Sequence, residues 1–485
     1  MKLETLLQST ETLEVKGPVD VGIEGIAYDS RRVEPDGLFV AVRGHKEDGA
    51  QYVAEALSNG AVAVVSENNL DLGTEVAHVR VPCARRALAE IANAYHGDLS
   101  RQMKIVGVTG TNGKTTTAYM VRDVLRDGGA LPGLLGTVAY EIGDRTLPAA
   151  HTTPEAPDIH ALFRQMREAG CDSAVMEVSS HAIALQRTLG IDFNICVFTN
   201  LTQDHLDYHK DMETYFDVKS KLFHAQGKEV GHSVVVNIDD PWGRKLLEDG
   251  RIEADVVTYG FCEQAMVRAS DARLDAGGTY FQILSPWGET RVCLNLLGRF
   301  NISNALAALA VGGLCGIGLD RMAKSLGNIQ AIPGRLEPVP NRKHKKVFVD
   351  YAHTDDALRN VLGTLREICK GKLIVVFGCG GNRDRGKRKL MGQAAAELAD
   401  FSIITSDNPR KEDPAAIVAD ILEGFAGEEA FEVVFDRRDA IKRGIKETGR
   451  KDILLVAGKG HETYQELKDT IIPFDDRETV REILG

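Results

Sequence analysis

The sequence predicts an α/β protein of three domains in which parallel β-strands alternate with α-helices. Short apolar runs recur along the chain between segments with helical periodicity, which is the pattern of parallel sheets covered by helices. The chain has 485 residues, too many for one hydrophobic core, and a typical domain of about 150 residues gives three domains. The strand-like runs include residues 104–108, 174–176, 234–236, 372–377 and 453–456.

Breaks in the helical pattern set the expected domain boundaries. One helical stretch ends at Gly97 and Asp98, before the strand at 104–108, and Pro333 with Gly334 ends another. We therefore predict an N-terminal α/β domain over residues 1–99, a central domain with a mostly parallel sheet over 100–332, and a Rossmann-like domain over 333–485. Ligands of such sheets bind beyond the carboxyl ends of the strands, so residues that follow each strand are candidates for binding.

The composition excludes several classes of protein. The fractions of 43% hydrophobic and 26% charged residues are those of globular domains and not of disordered chains. A net charge of -12 disfavours binding to a nucleic-acid backbone. The 8 cysteines form no C-x-x-C pair and indicate reduced thiols, and the N-terminal residues lack an apolar core for a signal peptide or membrane span. We expect a cytoplasmic protein that binds neither nucleic acid nor membrane.

A glycine-rich loop follows the strand at 104–108 and precedes an amphipathic helical pattern. It reads Gly110-Thr111-Asn112-Gly113-Lys114-Thr115-Thr116. Backbone N–H groups at a helix N-terminus can hold phosphates, Lys114 can reach the β/γ oxygens, and the Thr115 hydroxyl can bind Mg²⁺. Val108 replaces the first glycine of the standard P-loop, which disfavours motor and GTPase families. A tight turn with a solvated lysine is the alternative, but the strand–loop–helix context favours nucleotide binding.

This loop resembles the nucleotide loop of the Mur ligases and of the related folylpolyglutamate synthases. The resemblance extends over essentially the whole chain. It implies an N-terminal UDP-binding domain, a central P-loop ATPase domain and a C-terminal Rossmann-like domain. It also implies ATP and Mg²⁺ as cofactors, with the whole loop from Gly110 to Thr116 in contact with the nucleotide.

Two residues after strand-like runs resemble metal-binding residues of the family. Glu177 follows the run at 174–176, where a carboxylate is well placed to hold Mg²⁺. His205 lies in the segment 200–207, which resembles the N-L-x-x-D-H-L-D motif of the family, whose histidine contacts a second Mg²⁺. An ordinary loop histidine is the alternative. With Thr115, these residues form part of the expected metal site.

Lys219 resembles the lysine that Mur ligases convert to a carbamate. Helical spacing places it on one stripe with Tyr215 and Leu222, so an ammonium there would face partial burial. Burial that lowers a lysine pKa favours reaction with CO₂, because the neutral amine is the nucleophile. A snorkelling lysine is the alternative. The expected catalytic residues are Lys114, Glu177, His205 and Lys219, and the carbamate on Lys219 would be a further metal ligand.

Other positions match substrate-binding residues of the family. The resemblance implies that Ser30 contacts the nucleotide sugar of the UDP-linked substrate. It implies that the muramoyl dipeptide is held by Thr152, Thr153, Ser179 and Arg187. Some members carry a glutamine two residues before that arginine, whereas Leu185 stands here. For ATP, it implies Asn301 beside the adenine, Arg335 beside the phosphates and Asp350 beside the ribose.

Three polar clusters after C-terminal strands resemble the pocket for diaminopimelate. The distal end of this amino acid carries a carboxylate and an ammonium, so its site should offer a guanidinium and an acidic or carbonyl oxygen. A dinucleotide site is disfavoured because Arg383 replaces the last glycine of G-x-G-x-x-G. Structural arginine pairing is the other alternative. The implied pocket residues are Arg383, Asp407, Asn408, Pro409, Arg410, Gly458 and Glu462.

The resemblance implies an ATP-dependent ligase of peptidoglycan synthesis. It would add meso-diaminopimelate to the D-glutamate γ-carboxyl of UDP-N-acetylmuramoyl-L-alanyl-D-glutamate through an acyl phosphate. We expect a monomer whose partners are these small molecules. A lysine-adding homologue and a folylpolyglutamate-type ligase are alternative enzymes, and a nucleotide-gated binding or scaffold protein is an alternative from another class.

Overall fold

The computed structural model describes residues 1–44, 47–224, 232–275, 278–427 and 430–485. It is a mixed α/β structure with mostly parallel sheets, which confirms the predicted fold class. The chain divides into two compact units. The first comprises Met1–Gly107, Ala130–Cys196 and the described part of His224–His232, and the second comprises Val108–Gly129, Val197–Phe223 and Ser233–Gly485. The domain boundaries near residues 99 and 332 stay predictions.

The N-terminal part of the first unit is a five-stranded sheet. Its strands are parallel except at one edge, where Glu14–Lys16 runs antiparallel to Ala77–Arg80. In spatial order the strands are Glu14–Lys16, Ala77–Arg80, Ala61–Ser66, Gly37–Val40 and Gly25–Ala27. The helices are Leu3–Leu6, Val53–Ser58 and Ala84–His96, with 3₁₀ turns at Leu7–Ser9, Ser30–Arg32, Gly49–Tyr52 and Leu99–Gln102. Apolar side chains of the central strands form a core with those of Ala84–His96.

The rest of the first unit contains the strand that carries Glu177. Strand Ser173–Glu177 is buried along its whole length and pairs in parallel with Pro132–Leu135. A strand buried on both faces needs small or apolar side chains at every position, which explains the run Ser-Ala-Val-Met before the carboxylate. The remaining elements are antiparallel strands Ala139–Ile142 and Arg145–Pro148 and helices Ala156–Glu168 and Ser180–Ala184.

Strand Lys104–Thr109 precedes the phosphate loop, and strand Ile195–Phe198 precedes the segment that contains His205. The second unit continues with five further strands: Ser233–Asn237, Asp255–Gly260, Val267–Asp275, Gly278–Ser285 and Gly288–Leu294. The first two pairings in this series are parallel and the last two are antiparallel. Its helices are Lys114–Asp127, Leu206–His209, Met212–Ser220, Pro241–Glu248, Arg299–Leu314 and Leu319–Asn328, with a 3₁₀ turn at Lys221–Phe223.

Helix Arg299–Leu314 packs against the helix that follows the phosphate loop, Lys114–Asp127. It is apolar on nearly every side because nearly every side is buried. A Cβ on Gly312 would lie 2.6 Å from Val124 Cγ1, so a glycine allows the close approach. None of the helices within the described ranges combines the length and the apolar character needed to cross a membrane.

The C-terminal part of the second unit is a six-stranded sheet in which five strands are parallel to one another. In spatial order its strands are Glu337–Pro338, Lys346–Asp350, Ile453–Ala457, Leu373–Phe377, Phe401–Ile404 and Phe431–Val433. All pairings after the first are parallel, so carboxyl ends meet at the same edge. The helices are Asp355–Ile368, Gly386–Leu398, Pro414–Leu422, Arg437–Glu447 and Asp476–Leu484. A separate hairpin joins Tyr464–Leu467 to Thr470–Pro473.

A buried histidine lies on helix Ala156–Glu168 of the first unit. His160 is 0% exposed, and neither of its ring nitrogens finds a hydrogen-bond partner among the described residues. Its ring stacks on that of His96 with 6.3 Å between centroids. Burial, and secondarily the neighbouring His96, lowers the pKa of His160 from 6.5 to about 3. The folded protein therefore keeps this imidazole neutral under mildly acidic conditions.

We expect His160→Phe to make the fold less sensitive to acid. Between pH 6.5 and about 3 the unfolded chain binds a proton at this residue and the folded chain does not, so stability falls as the pH drops. The expected loss is about 1.4 kcal/mol per pH unit, or roughly 2 kcal/mol near pH 5. Thermal midpoints measured between neutral and mildly acidic pH should fall less steeply in the variant. His344→Asn, at an exposed histidine, should keep the wild-type slope, and an unchanged slope in His160→Phe would contradict the prediction.

Candidate active site

The phosphate loop can adopt its conformation only with glycine at two positions. Gly110 and Gly113 have φ values of 147° and 85°, which side-chain-bearing residues rarely adopt. A Cβ on Gly110 would lie 1.9 Å from Thr199 Oγ1, and one on Gly113 would lie 2.5 Å from Asn304 Oδ1. The loop backbone therefore packs directly against these two side chains, and Gly113 leads into helix Lys114–Asp127.

Residues that follow strand Ile195–Phe198 hold the phosphate loop. The Asn112 main-chain N–H donates to Asn200 Oδ1 at 2.9 Å, and Thr111 Oγ1 donates to the Thr202 carbonyl at 3.2 Å. Asn112 Nδ2 also donates to Asp356 Oδ2 at 2.7 Å. The loop is thus tied both to the neighbouring strand and to helix Asp355–Ile368 in the C-terminal part of the same unit.

The hydroxyl and ammonium groups predicted to contact ATP lie along this loop. Lys114 Nζ donates to the carbonyls of Gly110 and Thr111 at 3.0 and 2.8 Å. Thr115 and Thr116 are both buried at the start of the helix. Arg335 Nη2 donates to Thr115 Oγ1 at 2.9 Å, and its guanidinium lies 4.7 Å from the centre of the Tyr351 ring. The structure therefore brings Arg335 to the loop, as its predicted role requires.

Lys219 is buried beside the strand that feeds the loop. Its side chain is 1% exposed, and Nζ donates to the Gly110 carbonyl at 2.9 Å and to Thr109 Oγ1 at 3.4 Å. Burial, and then the charge of Lys114, lowers the pKa of Lys219 well below its usual value. The burial predicted from helical spacing is confirmed. Such an amine is easily deprotonated and is therefore a competent nucleophile.

His205 lies next to an acidic residue at the start of helix Leu206–His209. Its Nε2 is 3.3 Å from Asp204 Oδ2, and its backbone has φ of 55°. The histidine at position 353 approaches the same carboxylate oxygen at 3.9 Å. Nearby positive groups outweigh burial and hold the pKa of Asp204 below its ordinary value. His205 and Lys219 both belong to the second unit, whereas Glu177 belongs to the first.

Two residues predicted at the nucleotide have bonds within the protein. Asp350 is buried, and its two oxygens accept from the main-chain N–H groups of Leu336 and Ala352 at 2.5 and 2.7 Å. Burial raises the pKa of Asp350 to about 6. Asn301 Nδ2 donates to the Leu297 carbonyl at 2.8 Å, and its Oδ1 accepts from Asn304 at 3.1 Å. Both side chains shape the backbone around them, and their predicted contacts with ATP stay predictions.

Glu177 anchors a polar cluster in the first unit. The carboxylate is fully buried and accepts from Thr137, through its main-chain N–H at 2.8 Å and its hydroxyl at 3.0 Å. The Thr137 hydroxyl is also 3.0 Å from that of Thr152. A Cβ on Gly136 would lie 2.4 Å from Glu177 Oε1, so the loop before Thr137 also wraps closely around this carboxylate.

The remaining residues predicted to hold the dipeptide belong to the same cluster. Thr153 Oγ1 donates to the Glu177 carbonyl at 2.9 Å and accepts from the Ser179 main-chain N–H at 3.0 Å. Arg187 donates to the Thr153 carbonyl at 2.9 Å and pairs with Glu155 at 2.8 Å. The structure thus brings together the four residues predicted to hold the dipeptide. Ser30, predicted to contact the nucleotide sugar, is buried and is bonded elsewhere, since its hydroxyl donates to Glu55 Oε2 at 2.6 Å.

The residues predicted to select the amino acid meet at the carboxyl edge of the C-terminal sheet. Asn408 Nδ2 donates to Glu462 Oε2 at 3.0 Å, and a Cβ on Gly458 would lie 2.6 Å from Asp407 Oδ2. That oxygen is buried and finds no hydrogen-bond partner among the described residues. A Cβ on Gly381 would lie 1.9 Å from the Pro409 carbonyl oxygen, so the backbones of the loops that contain these two residues are in direct contact.

Two arginines line these loops in different ways. Arg410 has φ of 54°, and it donates through Nε to Glu466 Oε2 at 2.9 Å and through Nη1 to the Gly381 carbonyl at 2.8 Å. Its Nη2 bonds to nothing in the part of the chain that the structure describes. Arg383 is exposed and forms no ion pair with any described residue. Both can therefore offer donors to a carboxylate.

Several residues at the site were not predicted from sequence. They are Asn304, Asp356, Lys459 and Glu466, and each contacts a predicted residue or the phosphate loop. Asn304 had a detectable signal, because it lies three positions after Asn301 on the same helix face. Lys459 lies within the predicted cluster 458–462 and is bonded to Glu462 three positions later. Asp356 and Glu466 contact residues far away in the sequence, and no local pattern marks them.

No three His, Cys, Asp or Glu side chains gather into a metal-binding cluster within the described ranges. The predicted magnesium ligands include only two such side chains, Glu177 and His205, together with the Thr115 hydroxyl and a carbamate. This set is compatible with Mg²⁺, which usually binds one or two protein carboxylates, waters and substrate phosphates.

Three family models match consecutive segments of the chain. The Mur ligase family catalytic domain matches residues 22–96, the Mur ligase middle domain 108–312, and the Mur ligase glutamate ligase domain 334–460. Curated relatives are similar over their whole length. A UDP-N-acetylmuramoyl-L-alanyl-D-glutamate–2,6-diaminopimelate ligase from Syntrophomonas wolfei is 43% identical and covers 100% of this chain and 99% of its own. A protein of the same name from Caldanaerobacter subterraneus has the same identity and coverage.

Solved structures share the fold. A structure with that same enzyme name has a TM-score of 0.70 and 32% identity, covering 100% of this chain and 98% of its own. A MurF ligase from Thermotoga maritima in complex with ADP has a TM-score of 0.67 and 19% identity, with 95% and 96% coverage. A Mycobacterium tuberculosis folylpolyglutamate synthase has a TM-score of 0.65 and 20% identity, with 78% and 92% coverage. Because the family models match most of the chain and full-length relatives are 43% identical, the chain belongs to the Mur ligase family, as its phosphate loop predicted.

Proposed function

We propose that this chain is an ADP-forming ligase that adds meso-diaminopimelate to UDP-N-acetylmuramoyl-L-alanyl-D-glutamate in peptidoglycan synthesis. The observation that carries the choice of amino acid is the pair Arg410 and Glu462 on adjoining loops. Arg410 offers its Nη2 group, since Nε and Nη1 already donate within the protein, and Glu462 offers a carboxylate. These groups match the carboxylate and the ammonium at the distal end of diaminopimelate. The full-length relatives carry the name of this activity.

In the proposed reaction, the D-glutamate γ-carboxylate attacks the γ-phosphorus of ATP and releases ADP. The resulting acyl phosphate is attacked by the amine of diaminopimelate, which loses a proton, and phosphate leaves as the amide forms. The N–H groups at the start of helix Lys114–Asp127 hold phosphate oxygens, and Lys114 offsets their charge. Arg335 is bonded to Thr115 at 2.9 Å and adds a second cation at the same loop.

The proposed cofactor set includes Mg²⁺ and a carbamate on Lys219. Bound Mg²⁺ supplies charge neutralisation at the transferring phosphoryl group. The amine of Lys219 is buried with a lowered pKa, and it lies beside the loop without an ion pair to any described carboxylate. Conversion to a carbamate replaces a poorly accommodated cation with an anionic oxygen ligand. Thr115, Glu177 and His205 are the other proposed ligands.

The rest of the proposal follows from the substrates. The cluster of Thr152, Thr153, Ser179 and Arg187 holds the muramoyl dipeptide, and Ser30 lies at the nucleotide sugar. A cytoplasmic location and a monomeric state stay predictions.

The direct test measures ADP release with the UDP-dipeptide and either meso-diaminopimelate, L-lysine or L-glutamate. Release that depends on lysine or glutamate instead of diaminopimelate would overturn the proposed substrate.

We expect Lys219→Ala to lower ligation on the order of 100-fold, because a carbamate could no longer form. A short carboxylate such as acetate or formate, added to the assay, should restore part of the activity by entering the space left by the side chain. Lys221→Ala, at an exposed lysine two positions away, should behave as the wild type. Full activity of the Lys219 variant would exclude the carbamate from the reaction.

We expect Arg410→Ala to reduce the preference for diaminopimelate over lysine. Loss of a buried, charge-assisted pair costs ~2–5 kcal/mol, so kcat/KM for diaminopimelate should fall at least tens-fold. Lysine lacks the partner carboxylate and should be affected much less. Arg438→Ala removes an exposed arginine that pairs with Glu482, and it should leave kcat/KM for both amino acids unchanged. Equal losses for both amino acids would make Arg410 a structural residue.

A further inference from the structure

We propose that Lys459 is a positioning residue that fixes Glu462 and Asn408 for recognition of the substrate ammonium. This inference rests on the proposed function and adds to it a residue that does not itself touch the amino acid. It separates recognition of the ammonium, which Lys459 governs through Glu462, from recognition of the distal carboxylate, which Arg410 provides.

Lys459 is enclosed at the carboxyl edge of the sheet. Its side chain is 0% exposed, although lysine is rarely buried without a partner. Nζ donates to Glu462 Oε2 at 2.7 Å and to Asn408 Oδ1 at 3.1 Å, and it lies 5.3 Å from the centre of the Tyr464 ring. The ammonium is therefore committed to two residues of the amino-acid pocket.

These bonds fix which oxygen of Glu462 is available. Oε2 accepts from both Lys459 Nζ and Asn408 Nδ2, at 2.7 and 3.0 Å. Oε1 accepts no hydrogen bond from the described residues, and the side chain is 16% exposed. One oxygen is thus held by the protein, and the other is left for a ligand that donates, such as an ammonium.

Lys459 and the Glu466 main-chain N–H together fix the orientation of the Asn408 carboxamide. An ammonium can only donate, so the oxygen of this amide must face it and the Nδ2 group must face Glu462. Asn408 Oδ1 accepts a second bond from the Glu466 main-chain N–H at 2.9 Å. The amide is 2% exposed and is held on both sides. Without Lys459, Asn408 Oδ1 would keep only the bond from Glu466 and Glu462 Oε2 only the bond from Asn408, so each side chain would lose one of the two bonds that hold it.

The inference predicts a selective effect of Lys459→Met on the amino acid. KM for the amino acid should rise by roughly 10-fold or more, because hydrogen bonds to a charged group are lost. KM for ATP and for the UDP-dipeptide should stay unchanged, and kcat should change less than KM. Diaminopimelate and lysine should be affected alike because both carry an ammonium. Arg410→Ala, in contrast, should affect diaminopimelate much more than lysine.

Lys345→Met is the matched control. Lys345 lies in the same part of the chain and donates to the carbonyls of Ile445 and Thr448, both at 2.6 Å, away from the pocket. It should lower the thermal midpoint without changing KM for the amino acid. Equal KM changes in the two lysine variants would overturn the inference.

A double-mutant cycle with Glu462→Gln tests whether Lys459 acts through this carboxylate. If it does, Lys459→Met should raise KM much less in the Glu462→Gln background than in the wild type. Additive effects would overturn the inference. The assay uses whichever amino acid supports ADP release by the wild type. If diaminopimelate does not support ADP release, the proposed substrate is wrong. The Lys459 variants would then be compared with the wild type using the amino acid that does support release, so the inference about Lys459 is still tested.

Discussion

The close approach of the phosphate-loop backbone to its neighbours is the constraint on which the second unit depends. Gly110 and Gly113 allow the loop to lie against Thr199 and Asn304, where any Cβ would collide with a side-chain oxygen. This placement exposes the Gly110 carbonyl to Lys219 and sets Thr115 within reach of Arg335. A single tight turn therefore positions a buried amine and a guanidinium from distant parts of the chain.

Two buried lysines have opposite electrostatic surroundings. Lys219 donates to a carbonyl and a hydroxyl and has no ion-pair partner among the described residues, so burial favours its neutral amine. Lys459 is equally enclosed but donates to the carboxylate of Glu462, which matches its charge. The first environment suits a lysine that reacts, and the second suits a lysine that organises other side chains.

The loops at the edge of the C-terminal sheet are held by a hairpin that follows them in sequence. The Arg410 main-chain N–H donates to the Glu466 carbonyl at 3.2 Å, and its carbonyl accepts from Lys468 at 2.8 Å. Gln465 Nε2 donates to the Asp407 carbonyl at 2.8 Å. These bonds keep Arg410 in a left-handed conformation that a non-glycine residue rarely adopts. Hairpin Tyr464–Pro473 thus fixes the direction of the guanidinium proposed to read the distal carboxylate.

The sequence by itself determined the fold class, the strands that carry the sites, the phosphate loop and the family. These depend on local apolar periodicity and on short motifs, and the burial of Lys219 followed from spacing within one helix. The tertiary structure decided how the polar side chains are used. It showed that both Asp350 oxygens accept backbone N–H groups, that Glu466 shares Arg410, and that Asp356 holds Asn112. The bonds of Glu466 and Asp356 join residues far apart in the chain, and only folding brings them within reach.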